Sequence, residues 1–376
     1  MKTQHVEDKN LLEYLGNLAA QVHRKPSSVN RSELKQLLGR DVVAQALSSL
    51  ERERFFPACR FDRDYPPTDL KTRSPVLEDL RNVVFILGAK ARMESEGEKP
   101  GDAWNTIQTP LRLTTTLVPY PGCEGQWQRL YMTGYLCEVI QKIREKVRPS
   151  AGDYQAVEDA LRKQADIALL VRALDAQRLL IGERLFSIPA GKLYETLRRK
   201  TPAAPGLRPS YFRRATFKPK FIADHAIYLQ LMDKCVEYLQ QPHAPRKTDL
   251  YKEILSLPQS TFLTGGLAPP IQATKVIYCR EGTPIQVTRA GLALLEYRER
   301  HDRFPEKLDD LNLAGLRDPF TLKPLCYRIE GEGFCVYGVG EDLKDNGGVP
   351  PQPRQRTDYD VVWRWPPDKN EESRDL

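Results

Sequence analysis

Apolar residues recur at three- and four-residue spacing over most of this chain, the period of a helix with one buried face. Near the start, Asn10 precedes Leu11, Leu12, Leu15 and Leu18, and Val42, Val43, Ala46, Leu47 and Leu50 repeat the pattern. Between them, Ser32 opens a run of Leu34, Leu37 and Leu38 that Gly39 closes. Residues 56–74 hold Pro57, Pro66, Pro67 and many charges, and read as a loop. Longer helices are predicted over Leu77–Met93 and Trp104–Leu117, with Pro110 breaking or opening the second. Trp127, Leu130, Tyr131, Tyr135, Val139, Ile140, Ile143 and Val147 make a continuous stripe. After Pro149, Ser150 and Gly152 another stripe runs from Tyr154 to Leu174. Helices of this kind pack as a layer or bundle. Helical spacing returns over Ile222–Leu239, after a proline-bearing stretch at 201–219, and a second irregular stretch at 258–270 is followed by Ile271–Arg280.

The period changes beyond Pro284. A helix is predicted over Pro284–Arg300, with proline at an early position where its missing N–H costs nothing. Two alternating segments follow, Leu325–Ile329 and Phe334–Val339, joined across Gly331-Glu332. That two-residue loop sets Ile329 opposite Phe334, Tyr327 opposite Val336, Cys326 opposite Tyr337 and Arg328 opposite Cys335. In this register Cys326 and Cys335 do not face each other, so no disulfide joins them. A last segment is Asp358–Arg364.

The expected fold class is therefore α+β: a mainly helical N-terminal domain, then a small helix-and-antiparallel-sheet module. The expected divisions are 1–200 for the helical domain, 201–283 for a connector and further helices, 284–366 for the module and 367–376 for a charged tail.

With 376 residues, 40% of them hydrophobic and 28% charged, the chain has enough apolar material for two globular units. The net charge of +7 is modest at this length and names no partner. Seven scattered cysteines include no C-x-x-C pair, which argues against a disulfide framework or a four-cysteine zinc site. No run approaches the length of a membrane span, and Met1–Asn10 lacks the pattern of a signal peptide. Five histidines, His5, His23, His225, His243 and His301, form no metal-binding pair, and no nucleophile elbow or phosphate loop is present.

Glu183-Arg184, on an apolar helix, reads as a buried ion pair before it reads as a carboxylate site. Residues 192–220 carry nine basic side chains against one acid, with Tyr211, Phe212 and Phe217 interleaved. Binding to nucleic acid would use such a mixture. The preferred reading is a proline-rich connector pinned by its aromatics, so nucleic acid is not an expected partner.

One loop carries candidate chemistry. Asp342, Asp345 and Asn346 lie among glycines after the hairpin, and Asp360 begins the last segment. Oxygen ligands at short intervals on a bent chain suit a hard cation such as calcium. The same composition makes an ordinary polar loop, and spacing alone leaves both open.

Several motifs here fall in the order of a known family: Ala293–Arg298, Arg303-Phe304-Pro305-Glu306-Lys307-Leu308, Asp318-Pro319-Phe320, Tyr327-Arg328, Tyr337-Gly338-Val339-Gly340-Glu341-Asp342 and Asp360-Val361-Val362-Trp363. Together they resemble the periplasmic end of the type II secretion major pseudopilin, over about a fifth of the chain. The resemblance implies a short sheet after the helix and a calcium loop using Asp342 and Asp360, with Asp345 and Asn346 as substitutes. Leu343 stands where that family has glycine, and a proline-rich excursion lengthens the loop.

The basic leader and apolar assembly helix of that family are not found in this chain. The whole chain also resembles envelope-associated proteins of planctomycete-type bacteria in which a helical domain precedes such a module. Leu179–Arg184, Arg208–Phe212 and Tyr228–Met232 carry that likeness. It implies protein partners in the cell envelope on the periplasmic side, and membrane attachment only through an N-terminal anchor that this sequence does not contain. The function expected is non-enzymatic, structural or interaction-based; the alternative is a hydrolase-like enzyme with a carboxylate site between the domains.

Overall fold

The computed structural model describes residues 31–41, 75–120, 122–189, 192–193, 217–244, 249–257, 261–351 and 359–367. The helical readings at 8–30 and 42–55, the loop at 56–74 and most of the basic connector lie outside them. Helix α1 (Arg31–Leu38) ends where Gly39 donates its N–H to Lys35 O at 3.0 Å, as Gly39 predicts, and Ser32, expected to open it, lies inside its first turn.

The helical layer comprises α2 (Pro75–Ser95), α3 (Asp102–Thr115), α4 (Cys123–Lys146), α5 (Ala151–Gln164) and α6 (Ala168–Gln177). Pro110 lies inside α3, with Thr109, Pro110 and Leu111 all buried. Burial of that face outweighs a cost of about 3 kcal/mol for an interior proline. The stripe from Tyr154 to Leu174 is two helices. Ser150 opens α5 with a capping box shared with Asp153, and Asp166 accepts the N–H of Ala168 at 2.8 Å to restart the chain as α6. The apolar phase carries across this break, which conceals it in the sequence.

Helix α6 passes directly into a π-helix, Arg178–Glu183, then a short turn α7 (Arg184–Phe186). Helices α8 (Phe217–Gln240), α9 (Asp249–Leu255) and α10 (Phe262–Leu267) follow. The central element is α11, which runs without interruption from Ile271 to His301. Its 31 residues make a rod about 46 Å long.

Pro284 therefore lies inside a helix and does not begin one, and the expected boundary at 283/284 falls in mid-helix. The upstream half is held by tertiary packing: Ile271, Thr274, Lys275, Tyr278 and Cys279 are all buried. Helix α11 packs on α4 and α5 and also on the sheet. It ends at Asp302, in the left-handed conformation, whose N–H reaches Arg298 O at 2.8 Å.

After a 3-10 turn (Leu308–Leu311), strands β1 (Cys326–Glu330), β2 (Gly333–Val339) and β3 (Asp360–Trp365) form an antiparallel sheet in the order β1-β2-β3. The β1–β2 register pairs Ile329 with Phe334, Tyr327 with Val336, Arg328 with Cys335 and Cys326 with Tyr337, as the two-residue loop requires. Cys326 and Cys335 are both free thiols. Every residue of β2 is buried. One side meets α11, where Gly291 forms a notch for Trp363: a Cβ there would stand 2.0 Å from the indole Cε3. Phe334 sits edge-on between Trp363 and Phe304, at 6.4 and 5.3 Å between centroids.

Candidate functional site

The loop from Gly340 to Val349 crosses the far face of this sheet. Gly348 lies over Cys335 and Tyr337. Two arginines hold the loop down: Arg328 donates to Gly347 O and Arg364 to Gly348 O, both at 3.1 Å. Glu330 links them, pairing with Arg328 at 2.6 Å and Arg364 at 2.8 Å. This cover is why β2 is buried on both faces.

The four candidate ligands are in this loop and at its return, but they close the loop on itself. Asp360 is 0% exposed and accepts the N–H groups of Gly348 at 2.8 Å and Asn346 at 3.4 Å. Its own N–H donates to Val349 O at 2.8 Å. Asp345 Oδ1 accepts from Tyr337 Oη and from Gly347 N, each at 2.9 Å. Asp342 accepts from Lys344 N at 3.2 Å, and Asn346 Nδ2 donates to Lys344 O at 3.3 Å.

A calcium ion needs several oxygens converging on one point. Here both oxygens of Asp360 and Oδ1 of Asp342 and of Asp345 accept amide or hydroxyl protons. Among the described residues, no group of three or more His, Cys, Asp or Glu side chains is placed to hold a metal.

The same use of buried acid recurs twice. Among the described residues three carboxylates are buried: Asp224, Asp318 and Asp360. Asp224, on α8, caps a helix 39 residues away, its oxygens accepting from Leu263 N at 3.0 Å and Thr264 N at 3.2 Å. This supplies the cap that Thr261 does not provide at the start of α10. Asp318 ties the Asp-Pro-Phe turn to the sheet, accepting from Phe320 N at 2.8 Å and Val339 N at 3.1 Å. Burial pushes Asp318 and Asp360 above the usual carboxylate range, and the amide donors pull each back. A hydrolase site needs carboxylates free to exchange protons with a substrate. These three are occupied as backbone clamps.

Glu183 is 36% exposed, with its Oε1 at 2.9 Å from His225 Nε2. The expectation of a buried Glu183–Arg184 pair is thus corrected: successive helical residues project about 100° apart, and Glu183 turns toward α8 while Arg184 is exposed. His225 stacks on Phe186 at 4.5 Å. Nearby, Gly182 gives Tyr228 room; a Cβ there would be 2.2 Å from the phenol oxygen. Two segments that carried the envelope-protein likeness, 179–184 and 228–232, are thereby in contact.

Sequence reasoning also missed the ionic ties between the helical layer and the module. Arg289, 1% exposed in its side chain, pairs with Glu158 at 2.7 Å and also donates to Gln286 and Ala314 O. Arg144 reaches Glu299 at 3.0 Å and lies 4.8 Å over the Trp365 ring.

No helix among the described residues is long and apolar enough to cross a membrane. Compared with known proteins, the chain matches no family model, no curated protein sequence and no solved structure.

Proposed function

We propose that this is a non-enzymatic structural or interaction protein of the cell envelope, a helical platform carrying a pseudopilin-like C-terminal module. The observation that carries the reading is the seating of the last strand on the helix. Trp363, from Asp360-Val361-Val362-Trp363, fills the notch at Gly291. This gives the residues of the resemblance mutual structural roles. Phe304 lies against Phe334, Tyr327 Oη donates to Pro305 O at 2.8 Å, and Asp318 clamps Val339. Buried carboxylates engaged by backbone amides support a structural use of the module over a catalytic one. Calcium is not part of this reading.

The test is crosslinking in the producing cell, with a photoreactive residue at Ile329 or Val349, both exposed apolar positions on the module. The expected adducts are envelope proteins, pseudopilin subunits of a type II system among them. Recovery of cytosolic proteins alone, with the protein itself in the cytosolic fraction, would overturn the proposal.

A further inference from the structure

The seam between the end of α8 and the module contains a histidine that the proposed function does not use. His243 is 5% exposed, and neither ring nitrogen has a hydrogen-bond partner among the described residues. Its backbone N–H donates to Phe320 O at 2.8 Å, and its ring meets the Phe320 ring edge-on at 5.5 Å. Phe320 belongs to the turn that Asp318 ties to β2, so His243 anchors that turn to the end of α8.

Two charged groups of opposite sign act on the imidazole. Lys275 on α11 is 0% exposed, with its Nζ donating to Leu239 O at 2.7 Å. Glu341, after β2, is exposed and is the acid that acts on the ring. Cys279 is near both charges, and its thiol donates to Pro319 O at 3.1 Å. Asp318 faces the same region, but its carboxylate is engaged by Phe320 N, Val339 N and Thr321 Oγ1.

A neutral imidazole fits this seam and an imidazolium does not. Its two N–H donors would be buried without acceptors beside a second buried cation. Burial holds His243 below the ordinary histidine range, with Lys275 acting in the same direction and Glu341 opposing.

We propose that His243 is an acid-sensitive latch: its protonation releases the Asp318–Lys323 turn from the end of α8 and loosens the module's attachment. For a histidine whose folded-state pKa is depressed, stability is complete above the unfolded value near 6.5 and declines as pH falls below it. The decline continues until the folded-state histidine itself takes the proton. In that window one extra proton enters on unfolding, so the unfolding constant rises by at most about tenfold per pH unit.

The experiment uses the full chain and His243→Phe, which keeps an aromatic edge for Phe320 and cannot titrate. Urea midpoints are taken from pH 7.5 to 5, and hydrogen exchange of the His243 and Val339 amides is followed over the same range. The expected result is a steeper acid loss in the wild type, with both amides losing about tenfold protection beyond the intrinsic pH effect, and a flatter response in the variant. Equal slopes in the two proteins would overturn the latch. Should the variant fail to fold, the wild-type NMR titration decides: a His243 midpoint below the ordinary histidine value near 6.5 supports the latch, and one at or above it overturns it.

Discussion

Substituting Gly291 by alanine tests the packing on which the functional reading depends. The added Cβ would stand 2.0, 2.5 and 2.7 Å from three carbons of the Trp363 indole. Ordinary contact between such atoms is about 3.5–4 Å, so the ring must withdraw by roughly 1.5 Å. It has little room, because Trp363 is 3% exposed and Phe334, behind it, is fully buried. Overpacking of this kind costs about 3 kcal/mol, while replacing an interior helical glycine with alanine returns about 1 kcal/mol. The net expectation is a loss of about 2 kcal/mol. Urea denaturation followed by far-UV circular dichroism measures it. The stronger check is a cycle with Trp363→Leu, which removes the clash. The leucine should cost about 3 kcal/mol in the wild type and at least 1 kcal/mol less beside Ala at 291. Costs that add to within 0.5 kcal/mol, or Gly291→Ala as stable as wild type, would refute the notch.

Three further outcomes follow from the clamps and ion pairs. Asp360→Asn replaces an acceptor of two loop amides with a group that presents N–H donors, and should cost about 2 kcal/mol by urea titration; a loss under 0.5 kcal/mol would show the clamp to be dispensable. Melting in millimolar calcium and in chelator should coincide, since each loop carboxylate already accepts amide or hydroxyl protons, and a rise in Tm with calcium would reinstate the ion. Glu158→Ala should destabilise by about 3 kcal/mol by stranding Arg289, whereas Glu158→Ala paired with Arg289→Met should recover most of it.

The hairpin was readable to the residue, because a two-residue loop and strict alternation admit one register. The continuous α11 was not, because proline after a polar stretch looks the same at a helix start and inside a helix whose two halves are both buried. The division of Tyr154–Leu174 was hidden for a related reason: Asp166 accepts the first N–H of the new helix without disturbing the apolar phase. Composition placed Asp342, Asp345, Asn346 and Asp360 in one loop, but whether a carboxylate faces an ion or an amide depends on backbone direction. His243 carried no local signal at all, since the groups around it come from positions 239, 275, 320 and 341.

The unbroken α11 also constrains how such a protein can be assembled from parts. Its N-terminal half contributes Cys279 and Thr283, whose neighbours Pro319 and Gly338 belong to the module. A genetic exchange at Pro284 would sever the sheet from its support, whatever the sequence similarity there. A breakpoint before Ile271 would carry the whole rod along, together with Lys275, the residue that meets Leu239. A transferable cassette would therefore be longer than its recognisable motifs. A host accepting it would have to supply a carbonyl for that amine.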